Sequence, residues 1–506
     1  MIEYLNIIFP LFSGILSAVA FSNGKTAYII FFSLIPLIYS IKRSKNTFIT
    51  MFIFSFSFYL IASSWILNAV NFLPFNKILN HICLFLFLFV IAFTQGIILS
   101  FPFIFYKKII RNNILDYIFL ASLYILGEFI QENIPYISFP WARLSAIVAE
   151  INIFIQSSSL LGGLFISFII VLINGLIYSI LENIIIKKSP AVPLTALIVT
   201  ITANISFGMI RLSTHKYTPD KTVLLVQGNF SGEEKRTSDK KEITEAYLRL
   251  SYKNLTPETK MVVFPETAMP FYFDKNNEGT KALSEFAKTY NVTVLTGICT
   301  DNESGTFNSA VAFYPDGSFS EPYSKRILVP FGETIWFYDI ISKIIPQISE
   351  MSSFTAGESP YPIKTDIGKI GGIICFESIY PEIARSTVKS GAEILAVISN
   401  DSWFGEGRAM YQHHCHSILR AVENERYLLR ASSTAITSVI SPLGEIIISA
   451  VPFKEETISS KISSISKRTV YSYVGDIIVI PCIVIFIYSV ILYFLRGNRK
   501  PPYRRH

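Results

Sequence analysis

Long apolar runs and short alternating ones divide this chain near residue 212. Before that point, seven stretches (roughly 5–21, 26–41, 47–69, 82–106, 114–130, 160–181 and 191–210) approach the about 20 apolar residues that span a bilayer as a helix. An eighth, "IIVIPCIVIFIYSVILYFL" at 477–495, holds no charged residue. The first stretch has neither a basic start nor an A-x-A site, and further apolar stretches follow it. It reads as a retained helix and not a cleaved signal peptide. From "RLSTHKYTPDKT" onward the pattern shortens. "TVLLVQGNF", "MVVFPET", "VTVLTGICT", "SAVAFYPDGSF", "KIGGIICFE" and "EILAVISND" read as strands, with a hairpin turn at Asp316-Gly317. Helical periods cover 238–254, 278–290, 381–391 and 409–430. No heptad run, 20–50-residue repeat or low-complexity tract interrupts them. The pattern predicts a polytopic α-helical membrane bundle of eight spans joined to one α/β or α+β domain. Its boundaries are 1–212 for the first seven spans, 213–473 for the domain, and 474–506 for the eighth span with a basic tail.

Composition agrees with membrane residence: 51% of residues are hydrophobic, 16% are charged and the mean hydropathy is +0.44. Charge adds orientation. Lys42, Arg43, Lys45, Lys107, Lys108, Arg111, Lys187 and Lys188 fall in loops on one side, and Arg496, Arg499, Lys500, Arg504 and Arg505 join them in the tail. Only Lys25, Lys77 and Arg143 fall on the other side. The positive-inside rule makes the basic side cytoplasmic and puts 213–473 outside. The net charge of +7 then reflects topology and lipid headgroups, and nucleic acid is excluded as a partner.

The five cysteines form no CxxC pair, disulfide framework or zinc pattern. Cys83 and Cys482 lie in spans as small apolar filler, and Cys299 and Cys415 read as core. Cys375 differs. It ends the apolar run Ile370–Ile374, with Glu377 two residues on. "VVFPET" likewise puts Glu266 just after a strand, and "YSKRILVPFGE" carries Lys325 and Glu333. Strand ends display functional side chains in α/β folds. A thiol of pKa about 8.5 is mostly protonated at neutral pH, so a nucleophilic cysteine needs a base. A carboxylate can take its proton, and an ammonium can stabilise the oxyanion that forms. Read singly, Cys375 could be core, Glu266 a solvated loop residue and Lys325 a surface lysine. In "YQHHCHSILRAVENER", His413 and His416 have i, i+3 spacing, but no acid lies within a turn on that face, so no metal site is expected.

Together, "VVFPETAMPF", "YSKRILVPFGE", "GGIICFESIYPE" and "SNDSWFGEG" resemble the nitrilase superfamily. The added spans, "FPW" ending at Trp141 and "SSSLLGG" make the chain similar to the membrane-bound apolipoprotein N-acyltransferases. The resemblance implies a nitrilase-like αββα sandwich with a catalytic Glu266-Lys325-Cys375 triad. Glu333, Glu377, Trp403 and Trp141 would be supporting or substrate-binding residues. Phe376 stands where the family often has Tyr, Arg236 where it often has Trp, and Gln131 where it has Arg after Glu128. The implied reaction transfers an acyl chain from a phospholipid, through a Cys375 thioester, to the α-amine of a diacylglyceryl-cysteine apolipoprotein. The protein would act as a monomer in the bacterial inner membrane, with its catalytic domain on the periplasmic face and no cofactor or metal. Two other readings compete. A membrane-anchored amidase with a soluble substrate would use the spans only as an anchor. A transporter with an outer binding domain is expected to show an internal repeat or intramembrane charges.

Overall fold

The structure is a computed structural model, described here for residues 2–72, 76–108, 114–330, 332–334 and 354–497. Phe331 of the "LVPFGE" motif and the basic residues Arg111, Arg499, Lys500, Arg504 and Arg505 lie outside the described residues. The chain divides into two compact units: 1–67, 83–211 and 476–506 form one, and 68–82 with 212–475 form the other.

The first unit is helical. Among the described residues, four helices are long and apolar enough to cross a membrane: Thr47–Val70, Lys77–Tyr106, Ser158–Ile185 and Ala191–Thr214. Tyr4–Ala20 and Val479–Tyr488 are shorter apolar helices. The expected span at 26–41 is not one helix. It breaks between Ile30–Ser33 and Ile35–Arg43, where Pro36 in the first turn has no N–H to give. Asn174 splints the break, accepting from the Leu34 N–H at 3.0 Å and donating to the Ile30 carbonyl at 2.9 Å. The fifth stretch, Leu115–Asn133, buries Asp116, Glu128 and Glu132, each with a partner. These are Lys42 at 2.8 Å, the Leu144 N–H at 3.0 Å and Arg143, respectively.

The second unit contains two sheets. Its strands are β1 (Lys221–Gln227), β2 (Thr259–Val263), β3 (Met269–Tyr272), β4 (Thr293–Asn302), β5 (Gly305–Phe313), β6 (Tyr323–Ser324) and β7 (Ile363–Thr365). The rest are β8 (Gly368–Ile374), β9 (Ile394–Ser399), β10 (Leu428–Ser432), β11 (Ser438–Ile440), β12 (Ile446–Ser449) and β13 (Glu456–Ile462). One sheet runs β13-β1-β2-β4-β5-β6, with β3 beside β4, and the other runs β12-β11-β10-β9-β8-β7. The central pairs β1–β2, β2–β4, β8–β9 and β9–β10 are parallel, whereas the flanking pairs β13–β1, β4–β5, β7–β8 and β10–β11 are antiparallel.

Residues of period two decide the layers. Val223, Leu225, Met261 and Val263 pack with Ile370, Ile374, Ala396, Ile398 and Leu429 between the sheets. Their neighbours Leu224, Val226, Val262 and Phe264 pack outward on Ile243, Tyr247, Leu283 and Phe286 of helices Lys240–Asn254 and Glu278–Tyr290. Helices Pro381–Lys389 and Arg408–Asn424 pair with the β8–β10 side of the second sheet. The result is an αββα sandwich. The helix expected over 409–430 stops at Asn424, because Glu425 turns left-handed (φ 54°) and Leu428–Ser432 pairs with β9 as a strand. The run "YLLRA" fits either element, and tertiary pairing decides.

Candidate functional site

Parallel strands end together at one side of the sandwich, and the segments following β2, β8 and β9 carry the polar residues. After β2, Glu266 sits just before Thr267, whose φ of 46° turns the chain sharply. The loop is pressed onto β4 at Gly297: a Cβ there would lie 2.5 Å from the Thr267 nitrogen and 2.6 Å from the Glu266 Cα. Only glycine admits that approach. After β8, Cys375 opens a short turn with φ 52°. A left-handed non-glycine residue is strained by of order 1–3 kcal/mol and is held only where its surroundings dictate it.

Glu266 and Lys325, both buried, meet at 3.2 Å between Oε1 and Nζ. Lys325 Nζ also donates to Glu333 Oε1 at 2.8 Å. Asn308 of β5 closes the cluster, donating from Nδ2 to Glu266 Oε1 at 2.7 Å and to Glu333 Oε1 at 2.8 Å. The second oxygen of Glu266 accepts from the Asn400 N–H at 2.7 Å, and that of Glu333 from the Val329 N–H at 2.9 Å. Burial opposes the charge on Lys325, but Glu266 and Glu333 outweigh it and hold the ammonium well above its usual pKa.

Cys375 is buried beside this cluster. Burial pushes its thiol well up, Glu266 pushes it further, and Lys325 pulls it down. The resting thiol is therefore protonated at neutral pH, and Glu266 is the carboxylate that acts on it most strongly. Glu377 has a different task. Fully buried, it accepts from the backbone N–H groups of Ile374 (2.7 Å), Arg326 (2.6 Å) and Ile327 (3.3 Å), and from the Tyr323 hydroxyl (3.0 Å). It ties the end of β8 to the segment that carries Lys325. Burial raises its pKa, and the backbone donors oppose that.

Trp403 is half-buried on a turn after β9, its ring 4.3 Å from that of Phe404, whose carbonyl accepts from Asn68 Nδ2 at 2.6 Å. Trp141 belongs to the helical unit, where it stacks with Phe139 at 6.0 Å and meets Trp65 at 4.6 Å. Phe376 is buried edge-on to Tyr380. Cys415 is buried in the helix Arg408–Asn424. Cys299 is partly buried opposite Asn308 in the β4–β5 register, its thiol raised to about 11 by burial, then by Glu266 and Glu333.

Several residues here carry no local sequence signal. Asn308 is a polar residue inside a strand, and nothing around it marks it out. Lys235 is buried, its Nζ donating to the Glu266 carbonyl at 3.2 Å and to Ser433 Oγ at 2.8 Å, and burial lowers its pKa to about 8. His413, considered above as a metal ligand, instead meets Asp401 at 3.0 Å. No metal-binding group of three His, Cys, Asp or Glu exists among the described residues.

Residues 223–469 match the carbon-nitrogen hydrolase family, and residues 13–176 match the apolipoprotein N-acyltransferase N-terminal domain. The chain is 30% identical over 354 residues to an apolipoprotein N-acyltransferase of Geobacter metallireducens, covering 68% of each chain. It is 28% identical to the enzyme of that name from Aquifex aeolicus, over 86% of this chain and 94% of the other. A third of that name, from Thermotoga maritima, is 26% identical over 96% and 94%. Among solved structures, Saccharomyces cerevisiae Nit3, a member of the nitrilase superfamily, aligns with 49% of this chain and 91% of its own at 22% identity and a TM-score of 0.39.

Proposed function

Because this chain belongs to the apolipoprotein N-acyltransferase family, and so is an acyltransferase of lipoprotein maturation with a nitrilase-like domain, we propose that its acyl group travels on Cys375. The observation that carries this reading is the buried thiol of Cys375 beside the Glu266–Lys325 pair. In the first half-reaction Glu266 takes the thiol proton as Sγ attacks the sn-1 ester carbonyl of a phospholipid. Lys325 faces the negative charge that develops on the carbonyl oxygen. The intermediate expels the glycerol oxygen, which takes the proton from Glu266 and leaves as lysophospholipid. In the second half-reaction the α-amine of the diacylglyceryl-cysteine attacks the thioester. Glu266 accepts the amine proton and returns it to the departing thiolate. The amide product is an N-acylated lipoprotein. Glu333 and Asn308 hold Lys325 and Glu266 in register, and Glu377 fixes the turn that bears Cys375. Trp403 and Trp141 contribute to substrate binding. The chain acts as a monomer, with no metal or organic cofactor in the reaction.

This reading accounts for the union of a hydrolase-like domain with apolar helices, since both substrates keep their tails in lipid. We assign eight spans. Tyr4–Ala20, the broken segment 27–43, Leu115–Asn133 and Val479–Gly497 join the four long helices. The basic loops face the cytoplasm of the bacterial inner membrane and the domain 213–473 faces the periplasm. A reporter that is active only in the cytosol, inserted near the exposed Asp301, is then expected to be silent. Activity there would reverse the orientation. The donor is tested by labelling. Reconstituted with phospholipid labelled only in the sn-1 chain, the protein is expected to pass label to lipoprotein, whereas sn-2 label stays with the lysophospholipid. Transfer of sn-2 label, or of neither, would overturn the assignment of the donor bond.

A further inference from the structure

Behind Cys375 lies a second polar assembly that the acyl transfer just described does not use. His413 projects from the helix Arg408–Asn424 with Nε2 2.8 Å from Ser378 Oγ and 3.1 Å from the carbonyl oxygen of Cys375. Its Nδ1 is 3.0 Å from Asp401 Oδ1 and 3.0 Å from Arg430 Nη2. Arg430 pairs with Asp401 Oδ2 at 2.6 Å and is braced by Ser417 Oγ at 3.0 Å and the Ile436 carbonyl at 3.2 Å. Ser399 Oγ donates to Asp401 Oδ1 at 2.6 Å. Asp401, His413, Arg430 and Ser399 are all fully buried.

A buried ion pair is a poor device for stability, since apolar residues of similar volume often serve as well or better. What distinguishes this one is its reach. It touches Cys375 at the backbone carbonyl, through His413. With its proton on Nε2, His413 donates to a carbonyl that the left-handed turn has removed from β8, while its Nδ1 accepts from Arg430, which Asp401 holds in place. We propose that Asp401, His413 and Arg430 are positioning residues for the nucleophile, holding the Cys375 peptide in its left-handed turn and so aiming Sγ at the substrate carbonyl. The proposal rests on Cys375 being the acylated residue. None of the three touches substrate.

The test uses the full-length protein in phospholipid vesicles without lipoprotein acceptor, reading hydroxylamine-labile acylation per acylatable site. His413→Leu keeps the volume but has no donor. It is expected to slow acylation at saturating phospholipid by about 10²-fold, the cost of a misplacement on the order of 1 Å, with KM unchanged. His413→Gln, whose amide can reach the place of Nε2, is expected to recover most of that rate. Asp401→Asn, nearly isosteric, keeps the question open to test where the leucine variant does not fold, and it is expected to show the same split between rate and KM. Acylation at the wild-type rate in either His413→Leu or Asp401→Asn would overturn the proposal, as would a glutamine variant no faster than leucine. Cys375→Ala separates the two ideas. Acylation of that variant would remove the nucleophile assignment itself, whereas a wild-type rate in His413→Leu with acyl still on Cys375 would remove only the positioning role.

Discussion

Given phospholipid and no acceptor, the protein is expected to gain one acyl mass on the peptide that carries Cys375, and neutral hydroxylamine is expected to release it. Cys375→Ala is expected never to gain that mass and never to mature a lipoprotein. The physical reason lies in which thiol has the right neighbours. Burial keeps the Cys375 thiol protonated, so its reactivity depends on a base, and Glu266 is the carboxylate that bears on it most. Cys299 also lies within the influence of Glu266 and Glu333, which with burial hold its thiol near 11, but Lys325 is not among the groups that pull that thiol down. Cys299→Ala and Cys415→Ala are therefore expected to acylate normally. Glu266→Gln keeps the hydrogen-bonding shape and loses the base, so acylation slows by about 10²–10⁴-fold. Acyl mass on Cys299 or Cys415, or lipoprotein maturation by Cys375→Ala, would reduce Cys375 to core filling.

Lys325→Met is expected to abolish turnover, and the geometry adds a stability cost. The ammonium sits between Glu266 and Glu333 with its side chain 1% exposed. Removing it leaves the buried Glu266 and the partly buried Glu333 sharing Asn308 as donor, a loss of at most about 3–5 kcal/mol, the cost of breaking a buried pair. One carboxylate is then expected to bind a proton, so the variant should unfold more readily as pH rises. The double variant Lys325→Met/Glu333→Gln removes one of the stranded charges. It is expected to regain most of the lost stability, measured by denaturant unfolding of the detergent-solubilised protein, and none of the turnover. Lys325→Arg keeps charge but spreads it over a bulkier fork, and is expected to restore little. Turnover that returned along with stability in the double variant would make Lys325 a structural residue.

Glu266 and Cys375 were legible because their pattern is local: an apolar run stops and a side chain with its own chemistry follows. Lys325 follows only Tyr323-Ser324 and read singly as a surface lysine, so it was the family resemblance that grouped it with them. The periods of β1, β2, β4, β8 and β9 were legible, like Glu266 and Cys375, from local pattern. What could not be read was whatever depends on pairing. Leu428–Ser432 looks like the end of a helix until β9 offers it a ladder, and the left-handed Glu425 that separates the two has no glycine to mark it. The break at Leu34 has a local signal in Pro36, but its repair, Asn174, stands 140 residues away and could not be read. His413 was weighed against acids on its own helix, but its partner Asp401 arrives from the turn after β9 and Arg430 from β10. Asn308 is invisible in sequence because one mid-strand amide looks like any other.

Lys325 between two carboxylates has one more consequence. The side chains of Glu266, Glu333, Lys325 and Cys375 together carry a single surplus negative charge before substrate arrives, with the Lys235 ammonium beside them at the Glu266 carbonyl. In the proposed attack a proton passes from sulfur to Glu266 and the surplus moves to the substrate's carbonyl oxygen. Nothing is added to the group or taken from it. The proton inventory is closed, and the same proton serves the leaving glycerol oxygen. A site of this kind needs no water channel to feed its chemistry, only a passage wide enough for acyl chains.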